Sequence, residues 1–556
     1  MQDGTCSSTI AMEGGKRSDS KCGVIHMRIT NKIMQRNALG NINSNKILQD
    51  NLTTQMSTQK KINRASDDPV VAIRALRLRS NVTEVSQYYS KNIPDANSWM
   101  EVTEDALNNT AKIITSMIEQ ATKGSNGDLT SSDRKIILEQ LQALSDEVYA
   151  TGDASFAGRY VFTGYRTDTS LSFQEKKTDT TYSITEQLSK DAIDSVTHVN
   201  MGDLSSWTNS NYATGAVAGV DETQIATADV YRIRLSYNNV DETLPTIQYY
   251  DATGTMQSIS ATGQALSNDT TAYAPDPYTY VSENPSEMIL LKDTGELLIG
   301  KDIYDTLMNT KDDPTTSLVN EGEVRITYDK TEFTAEDLRP EHYFACTATT
   351  WVVDSDGNNT ATADKVIDYN QDYLNGIVDK QSIEYDVGFN QTIRVNTTAD
   401  EAFNLGVRRE VDDLIGALRS VENLEALKKS IQSKIDGTTD DTELEILNNQ
   451  LTATDKALTY SKDTCQKRFE SSITSLQGFL DDASLAITGV GTRSSKLELI
   501  EQRMQNQKTT FETLKSENED IDITEVAIQL SSAELTYEAA LTATGKLVQN
   551  TLLQYI

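Results

Sequence analysis

The chain has 556 residues and a formal net charge of −33 at pH 7, a length sufficient for several domains. Hydrophobic residues make up 37% and aromatic residues 6%, a composition that favours long, thin helical bodies over one large sphere. No apolar run reaches the roughly 18 residues that a bilayer-spanning helix needs. Residues 166–400 carry a net charge of −24. Because such a surface repels polyanions, we expect no nucleic-acid partner and no membrane insertion.

Cysteine usage and the first residues exclude several kinds of site. The four cysteines are Cys6, Cys22, Cys346 and Cys465, with no CxxC pair, so a zinc or thioredoxin-type site is not indicated. Residues 1–26 show neither helical nor strand periodicity and no apolar stretch resembling a signal peptide. We interpret them as a non-native or disordered N-terminal extension, outside the working protein.

The N-terminal helical pattern begins at Met27. Residues 27–63 are predicted to form one helix, whose apolar stripe is diluted by Asn, Gln and Thr. The stripe consists of Ile33, Leu48, Leu52 and Met56. It is weak for a core helix but adequate for a polar coiled interface. Asp68 before Pro69 has the form of a helix N-cap followed by proline at the first helical position.

A second long helix is predicted after this cap. Its apolar stripe consists of Ile73, Leu76, Val82, Val85, Tyr89 and Ile93. Pro94 should break or kink the helix, because proline has no amide hydrogen to donate to the carbonyl four residues earlier. The helix is expected to resume and to end at Gly124 and Gly127, and a shorter helix is predicted over residues 132–149.

Residues 166–396 change from helical to strand periodicity. Apolar residues stand at every second position in two runs, Tyr231, Ile233, Leu235 and Tyr237, then Val324, Ile326 and Tyr328. A period of two predicts half-buried strands, in which intervening residues such as Arg232 face away from the apolar side. Asn238-Asn239 and Asp356-Gly357 predict turns between such strands.

Helical periodicity returns at Glu401 and continues to the end. The first stripe consists of Val411, Leu414, Ile415 and Leu418, and a later one, near heptad spacing, of Leu497, Ile500, Met504, Phe511 and Leu514. Residues 436–439 predict a helix–helix turn, and residues 519–522 interrupt the pattern before the last helix. For every stripe, burial inside one subunit and contact between subunits are both open.

No catalytic, cofactor or metal-binding constellation is predicted. The three histidines, His26, His198 and His342, lie outside any HExxH or nucleophile motif. Residues 489–491 form only a GxG, which is more typical of a turn than of a nucleotide site. Residues 354–357 lack the spacing and closing glutamate of an EF-hand and are interpreted as a hairpin turn. We therefore expect no enzymatic activity.

Five segments, in this order, resemble the flagellin superfamily. They are MRITNKIM at 27–34, KINRASDDPVVA at 61–72, GRYVFTGYRTD at 158–168, YDVGFNQTIRVN at 385–396 and VGTRSSKLE at 490–498. The proline after SDD, the GRYVFTG segment and the LLQYI ending favour the hook–filament junction branch of the superfamily over filament flagellin.

The resemblance implies an α+β multidomain fold. In such a fold the N- and C-terminal segments form a long helical coiled coil or bundle, and a β-rich outer domain is inserted between them. The implied domains are a terminal helical assembly domain (27–60 with 520–556), a helical rod domain (61–165 with 397–519) and a β-rich acidic outer domain (166–396). Residues 425–470 form an extra helical hairpin relative to the usual pattern.

The resemblance also implies partners and a location. Superfamily members leave the cell unfolded through the flagellar type III export channel, without a cleaved signal peptide. The junction branch polymerises as a ring between hook-associated protein 1 and filament flagellin, at the extracellular hook–filament junction. An export chaperone binds the C-terminal helical region, which here would include Ile523, Val526, Leu530 and Tyr537.

Carried over to this chain, the assembly interface lies on the terminal helices and on the segment that follows the first helix. Its predicted residues are Ile33, Leu48, Leu52, Met56, Ile62, Asn63, Asp67, Asp68, Pro69, Ile523, Val526, Leu530, Ala533, Tyr537, Leu541, Val548 and Leu552. Two alternatives stay open: filament flagellin itself, and a secreted adhesin-like protein that binds through its outer domain. We also expect the terminal helices to be disordered in the free monomer, because their pair buries too little apolar surface to order about 60 residues.

Overall fold

The computed structural model describes residues 31–553, apart from 127–128, 203, 205–219, 221, 270–271, 313–321, 355–358 and 377–380. The chain forms two compact units. One contains the described residues up to Glu84 and from Gln507 onward, and the other is Val85–Asn506. The interpretation of residues 1–26 lies outside the described residues, and the three-domain division stays a prediction.

Long helices lie at both ends of the described chain. In chain order the helices are α1 (Asn31–Thr58), α2 (Pro69–Gln87), α3 (Ile93–Gly124), α4 (Ser131–Thr151), α5 (Pro277–Glu283), α6 (Lys301–Met308), α7 (Ala399–Ala402), α8 (Gly406–Gly437), α9 (Asp441–Glu519) and α10 (Ile523–Leu553). The predicted interruptions after Gly437 and Glu519 are confirmed. α4 starts with a capping box, in which Thr130 and Asp133 each accept the other's backbone amide hydrogen.

A π-helical turn, Tyr88–Asn92, separates α2 from α3. Pro94 lies in the first turn of α3, where the missing amide hydrogen costs no regular hydrogen bond. The irregularity predicted from Pro94 therefore occurs, but the helical course continues through a widened turn instead of ending.

Fifteen strands lie in the described residues between α4 and α7. They are β1 (Ser155–Phe156), β2 (Arg159–Tyr160), β3 (Thr180–Ser189), β4 (Ile193–Asn200), β5 (Ala226–Arg234), β6 (Thr246–Tyr250), β7 (Met256–Ser260), β8 (Gly263–Ala265), β9 (Met288–Leu291), β10 (Glu296–Ile299), β11 (Glu323–Lys330), β12 (Ala345–Val353), β13 (Asn359–Tyr369), β14 (Glu384–Gly388) and β15 (Gln391–Arg394). The strands predicted around Ile233 and Ile326 are confirmed as β5 and β11. The α+β fold class is confirmed as well.

The strands form two larger sheets and two hairpins. The five-stranded sheet has the order β4-β5-β10-β9-β8, and the six-stranded sheet has the order β13-β12-β3-β11-β6-β7. Pairing is antiparallel, with Ile233 opposite Leu297 and Ile326 opposite Ile247, except between β8 and β9. One apolar core is shared by both sheets, and α6 joins it through Ile303.

The five-stranded sheet is covered on both faces. Its second face packs against α5, where Val281 contacts a smaller buried cluster. Burial on both sides explains why every residue of β9 and β10 is buried. Such strands have continuous apolar runs in place of alternation.

α8 and α9 form an antiparallel hairpin. Lys428 Nζ lies 2.6 Å from Asp455 Oδ1, and Lys462 Nζ lies 3.0 Å from Glu425 Oε1. The stripe predicted on α8, Val411, Leu414, Ile415 and Leu418, is buried throughout, as expected for a core stripe. The helical interpretation of residues 425–470 is confirmed.

Arg232 on β5 is buried in a charge network that the strand pattern did not reveal. Its Nε lies 3.0 Å from Asp194 Oδ1 and its Nη2 lies 2.6 Å from Asp413 Oδ2 on α8. The guanidinium also pairs with Glu296 on β10, and Arg234 Nη1 lies 3.2 Å from the same Asp413 oxygen. Burial by itself would raise the pKa of Asp413. Arg232 and its neighbouring cations nevertheless hold this pKa below its ordinary value.

One helix prediction is wrong in detail, and one apolar stripe is exposed. The helix expected over residues 27–63 ends at Thr58, because Gln59 takes a left-handed φ of 55°. Ile73 and Leu76 belong to the predicted apolar stripe of α2, for which burial and subunit contact were both open; they are exposed, and the small residues Ala72 and Ala75 are buried.

The GxG of residues 489–491 is not a turn. It lies inside α9, where nothing lies within 4 Å of a Cβ placed on Gly489 or Gly491. Gly127 and the Asp356-Gly357 turn lie outside the described residues. β12 and β13 on either side of that turn pair antiparallel, as a hairpin requires.

Candidate assembly surface

α1 and α10 pack against each other as an antiparallel pair with a thin core. Leu52, Val526 and Ala533 are its buried members, and Met56 and Leu530 pack against them half-buried. All five lie at three- or four-residue spacing along their own helix, which is why the two helices can pack along one face. The core stabilises the pair only over this short length.

Backbone hydrogen bonds close the base of this pair, defined as residues 59–61 with 519–521. Lys61 N donates to Glu519 O at 2.7 Å, and Ile521 N donates to Gln59 O at 3.3 Å. Lys60 Nζ lies 2.5 Å from Asp520 Oδ1, and this hydrogen bond raises the pKa of Lys60. The two chain segments that leave the base are thereby held side by side.

Arg79 on α2 binds the base through Glu519. Its Nε donates to Oε1 at 2.6 Å and its Nη2 donates to Oε2 at 2.8 Å, a bidentate pair. The carboxylate is buried while much of the arginine side chain is exposed. These hydrogen bonds hold the pKa of Glu519 below its ordinary value. The sequence analysis did not identify this pair, although Glu519 is the first residue of the predicted break.

The acidic pair of the RASDDP segment, Asp67 and Asp68, forms local hydrogen bonds. Asp67 Oδ2 accepts from Arg64 N at 2.8 Å, which shapes the turn before α2. Asp68 Oδ1 accepts from Val70 N at 2.9 Å and from Val71 N at 3.1 Å, so the predicted N-cap is confirmed. Contact of these residues with another subunit stays a prediction.

Other predicted interface residues divide into buried and exposed groups. Buried or half-buried are Leu52, Met56, Ile62, Asp68, Val526, Leu530, Ala533 and Tyr537. Exposed are Ile33, Leu48, Asn63, Asp67, Pro69, Ile523 and Leu541. The side chains of Val548 and Leu552 lie outside the described residues. The exposed group holds four large aliphatic side chains, which leaves the predicted role in assembly physically reasonable.

Further exposed aliphatic residues on the same helices were not singled out from the sequence. They are Met34, Leu39 and Ile47 on α1, and Ile528 and Leu535 on α10. Leu535 is 69% exposed, although leucine is among the residue types most often buried. Periodicity could not identify them, because both helices carry aliphatic residues on more than one face.

Two of the resemblance segments meet in the second unit. Arg493 in α9 donates from Nη1 to Asn396 O at 2.6 Å and from Nη2 to Thr397 Oγ1 at 2.7 Å. Tyr385 in β14 donates to Asp95 Oδ2 on α3 at 2.9 Å. The β14–β15 hairpin is thus held between α3 and α9, which gives these distant segments a shared packing role.

The described residues contain neither a cluster of metal-ligating side chains nor a helix that could span a membrane. No group of three or more His, Cys, Asp or Glu side chains in them is arranged to hold a metal ion. No helix among them is long and apolar enough to cross a membrane. The two described cysteines, Cys346 and Cys465, are buried free thiols.

The helical N-terminal part defines the class of protein. Residues 29–167 match the family model of the bacterial flagellin N-terminal helical region. This part of the chain is therefore a flagellin-type helical region, and the resemblance to the flagellin superfamily is confirmed.

Curated relatives include proteins of the hook–filament region. The chain is 29% identical over 143 residues to flagellar hook-associated protein 3 of Salmonella typhimurium, covering 26% of this chain and 45% of that protein. It is 28% identical over 151 residues to the Escherichia coli protein of that name, covering 27% and 47%. A flagellin of Clostridium tyrobutyricum is 32% identical over 122 residues, covering 22% and 32%. The chain thus spans less than half the length of these relatives.

Solved structures with flagellar titles are also similar, though weakly. A putative flagellar hook-associated protein of Vibrio parahaemolyticus has 13% identity and a TM-score of 0.32, covering 82% of this chain and all of its own. FlgL of Xanthomonas campestris has 12% identity and a TM-score of 0.29, covering 78% and 98%. The flagellar assignment rests on the sequence matches.

Proposed function

We propose that this chain is a structural subunit of the bacterial flagellum that joins hook to filament and polymerises through its terminal helices. The observation that carries the proposal is the imbalance on α1 and α10. Three side chains form their buried core, whereas nine large aliphatic side chains on the two helices are exposed. We infer that these exposed side chains serve a protein interaction, because large apolar surface left exposed on a folded chain is typical of interaction sites.

The proposed partners follow from the resemblance and from the relatives' names. They are further copies of this chain in a ring, hook-associated protein 1 on one side, filament flagellin on the other, and an export chaperone before secretion. The chaperone is proposed to hold Ile523, Val526, Leu530 and Tyr537, in an extracellular protein exported without a cleaved signal. We propose no catalytic role, and the three-domain division is retained as part of this proposal.

Deletion of the gene tests the junction role. Loss of a junction protein should leave hooks assembled while flagellin monomers leak into the medium. Intact filaments in the mutant would reject the junction role. Filament flagellin is the second candidate, favoured by the flagellin matches, and it would instead appear at high copy number along sheared filaments.

Complementation of the deletion tests the surface. Leu39→Asp on α1 alters a side chain that is 62% exposed, so the monomer should keep its stability while filament attachment fails. Leu266→Asp, at an exposed leucine of the β-rich part, is the matched control and should restore filaments. Equal restoration by both variants would contradict assembly through α1.

A further inference from the structure

α2 presents an exposed face that no described part of its own subunit covers. Val70, Ile73 and Leu76 follow each other at three-residue spacing and so lie along one side of the helix. Leu76 is 64% exposed. Ala75 lies about 100° from Leu76 and about 200° from Ile73, on the buried side of the helix. An aliphatic row pointing to solvent has no stabilising role inside the monomer.

The same face is basic. Arg74 and Arg77 lie beside the aliphatic row and are exposed. Neither forms an ion pair within the described chain, whereas Arg79, on another side of the helix, is bound to Glu519. We call Val70, Ile73, Arg74, Leu76 and Arg77 the α2 face. Its free guanidinium groups can pair with carboxylates of another molecule.

α10 carries a face of the opposite charge. Ile528 and Leu535 are seven residues apart and therefore lie on one side of the helix. The buried Val526 and Ala533 lie on the opposite side, because each stands two positions before one of them, a rotation of about 200°. Glu534 and Glu538 flank Leu535, and both are exposed without an ion pair in the described chain. We call Ile528, Glu534, Leu535 and Glu538 the α10 face.

We propose that the α2 face of one copy docks on the α10 face of a second copy. The proposal rests on the proposed function, because it names one contact of the assembly. Each face combines an aliphatic centre with unpaired charges, and the two charges are opposite in sign. Such complementarity sets register and suppresses like-charged pairings.

The contact would be heterologous, since each copy contributes two different surfaces. A copy that donates its α2 face still has its α10 face free for the next copy. Contacts of this type propagate into a ring when the rotation closes and into a helical filament when it does not. The pairing therefore supplies a mechanism for growth beyond a dimer.

Charge reversal on each face tests the pairing. In the full-length chain at low salt, Arg74→Glu/Arg77→Glu and Glu534→Arg/Glu538→Arg should each raise the concentration for assembly roughly tenfold or more. An equimolar mixture of the two variants should assemble as the wild type does, because each reversed face then meets an opposite one. Sedimentation and light scattering measure assembly, and circular dichroism checks that each variant keeps its helices.

A matched control separates the pairing from net charge. Lys135→Glu/Lys365→Glu makes the net charge more negative by the same amount as Arg74→Glu/Arg77→Glu does, at exposed lysines outside both faces, and should assemble normally. Wild-type assembly that both face variants retain would overturn the pairing and leave the proposed function standing. Failure of the mixture to recover would also overturn it. A wild-type chain that stays monomeric at every concentration would overturn both.

Discussion

Replacing Arg232 with methionine should loosen the attachment of β5 to α8. The substitution keeps an unbranched apolar stem, although a shorter one, and removes the guanidinium of a residue that is 2% exposed. Asp194 is partly exposed and can be hydrated, and Asp413 keeps Arg234 as a partner. Glu296, whose side chain is 4% exposed, keeps only the hydroxyl of Tyr278 at 2.6 Å. One buried carboxylate is left without a cation.

The expected cost is about 3–5 kcal/mol, the range measured when one partner of a buried ion pair is removed. Amide hydrogen exchange is the suitable assay, because a chain of two compact units does not unfold in one step. The free energy of opening measured by exchange should fall by that amount for the amides of β5 and of the first turns of α8, whereas the amides of α3 should keep their protection. Low pH should weaken the wild type as well. The folded-state pKa of Asp413 lies below its ordinary value, so its stabilisation is present at neutral pH and lost as acid protonates it.

Lys428→Met is the matched control. Lys428 pairs with Asp455 at 2.6 Å, but both side chains are almost half exposed. The substitution should therefore lower the free energy of unfolding by less than about 1 kcal/mol. Arg232→Met/Glu296→Gln should recover part of the protection, because the unpaired carboxylate is then neutral. If Arg232→Met changes amide exchange no more than Lys428→Met does, the ion pairs around Arg232 do not stabilise the packing of β5 against α8.

Three further predictions concern the terminal helices. Leu52→Ala should weaken assembly by about 2 kcal/mol. This is the low end of the range for a buried leucine, because the core between α1 and α10 is thin. Sedimentation should then show a roughly 30-fold higher concentration for assembly. Amide exchange on the free monomer should find residues 30–60 and 523–552 unprotected, and protection there would contradict folding upon assembly. Glu519 has a depressed pKa, so its contribution is present above the ordinary glutamate pKa of about 4.3 and is lost as pH falls below it. Thermal melting between pH 5 and pH 3 should show this loss, and the melting temperature of Glu519→Gln should depend less on pH over the same range. Equal slopes for the two proteins would refute the prediction.

Much of the fold could be predicted because its signals are local. The change from helical to strand period located β5 and β11 within the chain. Asp68 before Pro69 marked the start of α2, since a cap needs only the next few amides. The turn after Gly437 and the break after Glu519 likewise depend on neighbouring residues.

Burial was less predictable than secondary structure. Periodicity reports that apolar residues share a face, but it does not report what covers that face. Ile73 and Leu76 formed a regular stripe and are nevertheless exposed, whereas the stripe from Val411 to Leu418 is buried in the α8–α9 hairpin. For this reason the exposed interface residues on α1 and α10 could be named only in part.

The sequence by itself determined where the long helices lie, that the middle of the chain contains strands, and in what order the flagellin-like segments follow. Tertiary structure alone decided which charges meet. Arg232 pairs with Asp413 on α8, and Arg79 pairs with Glu519 at the end of α9. The partners are too far apart along the chain for any periodic pattern to relate them. Local hydrogen bonds and periodicity act over a few residues, while ion pairs between elements depend on how the chain folds back upon itself.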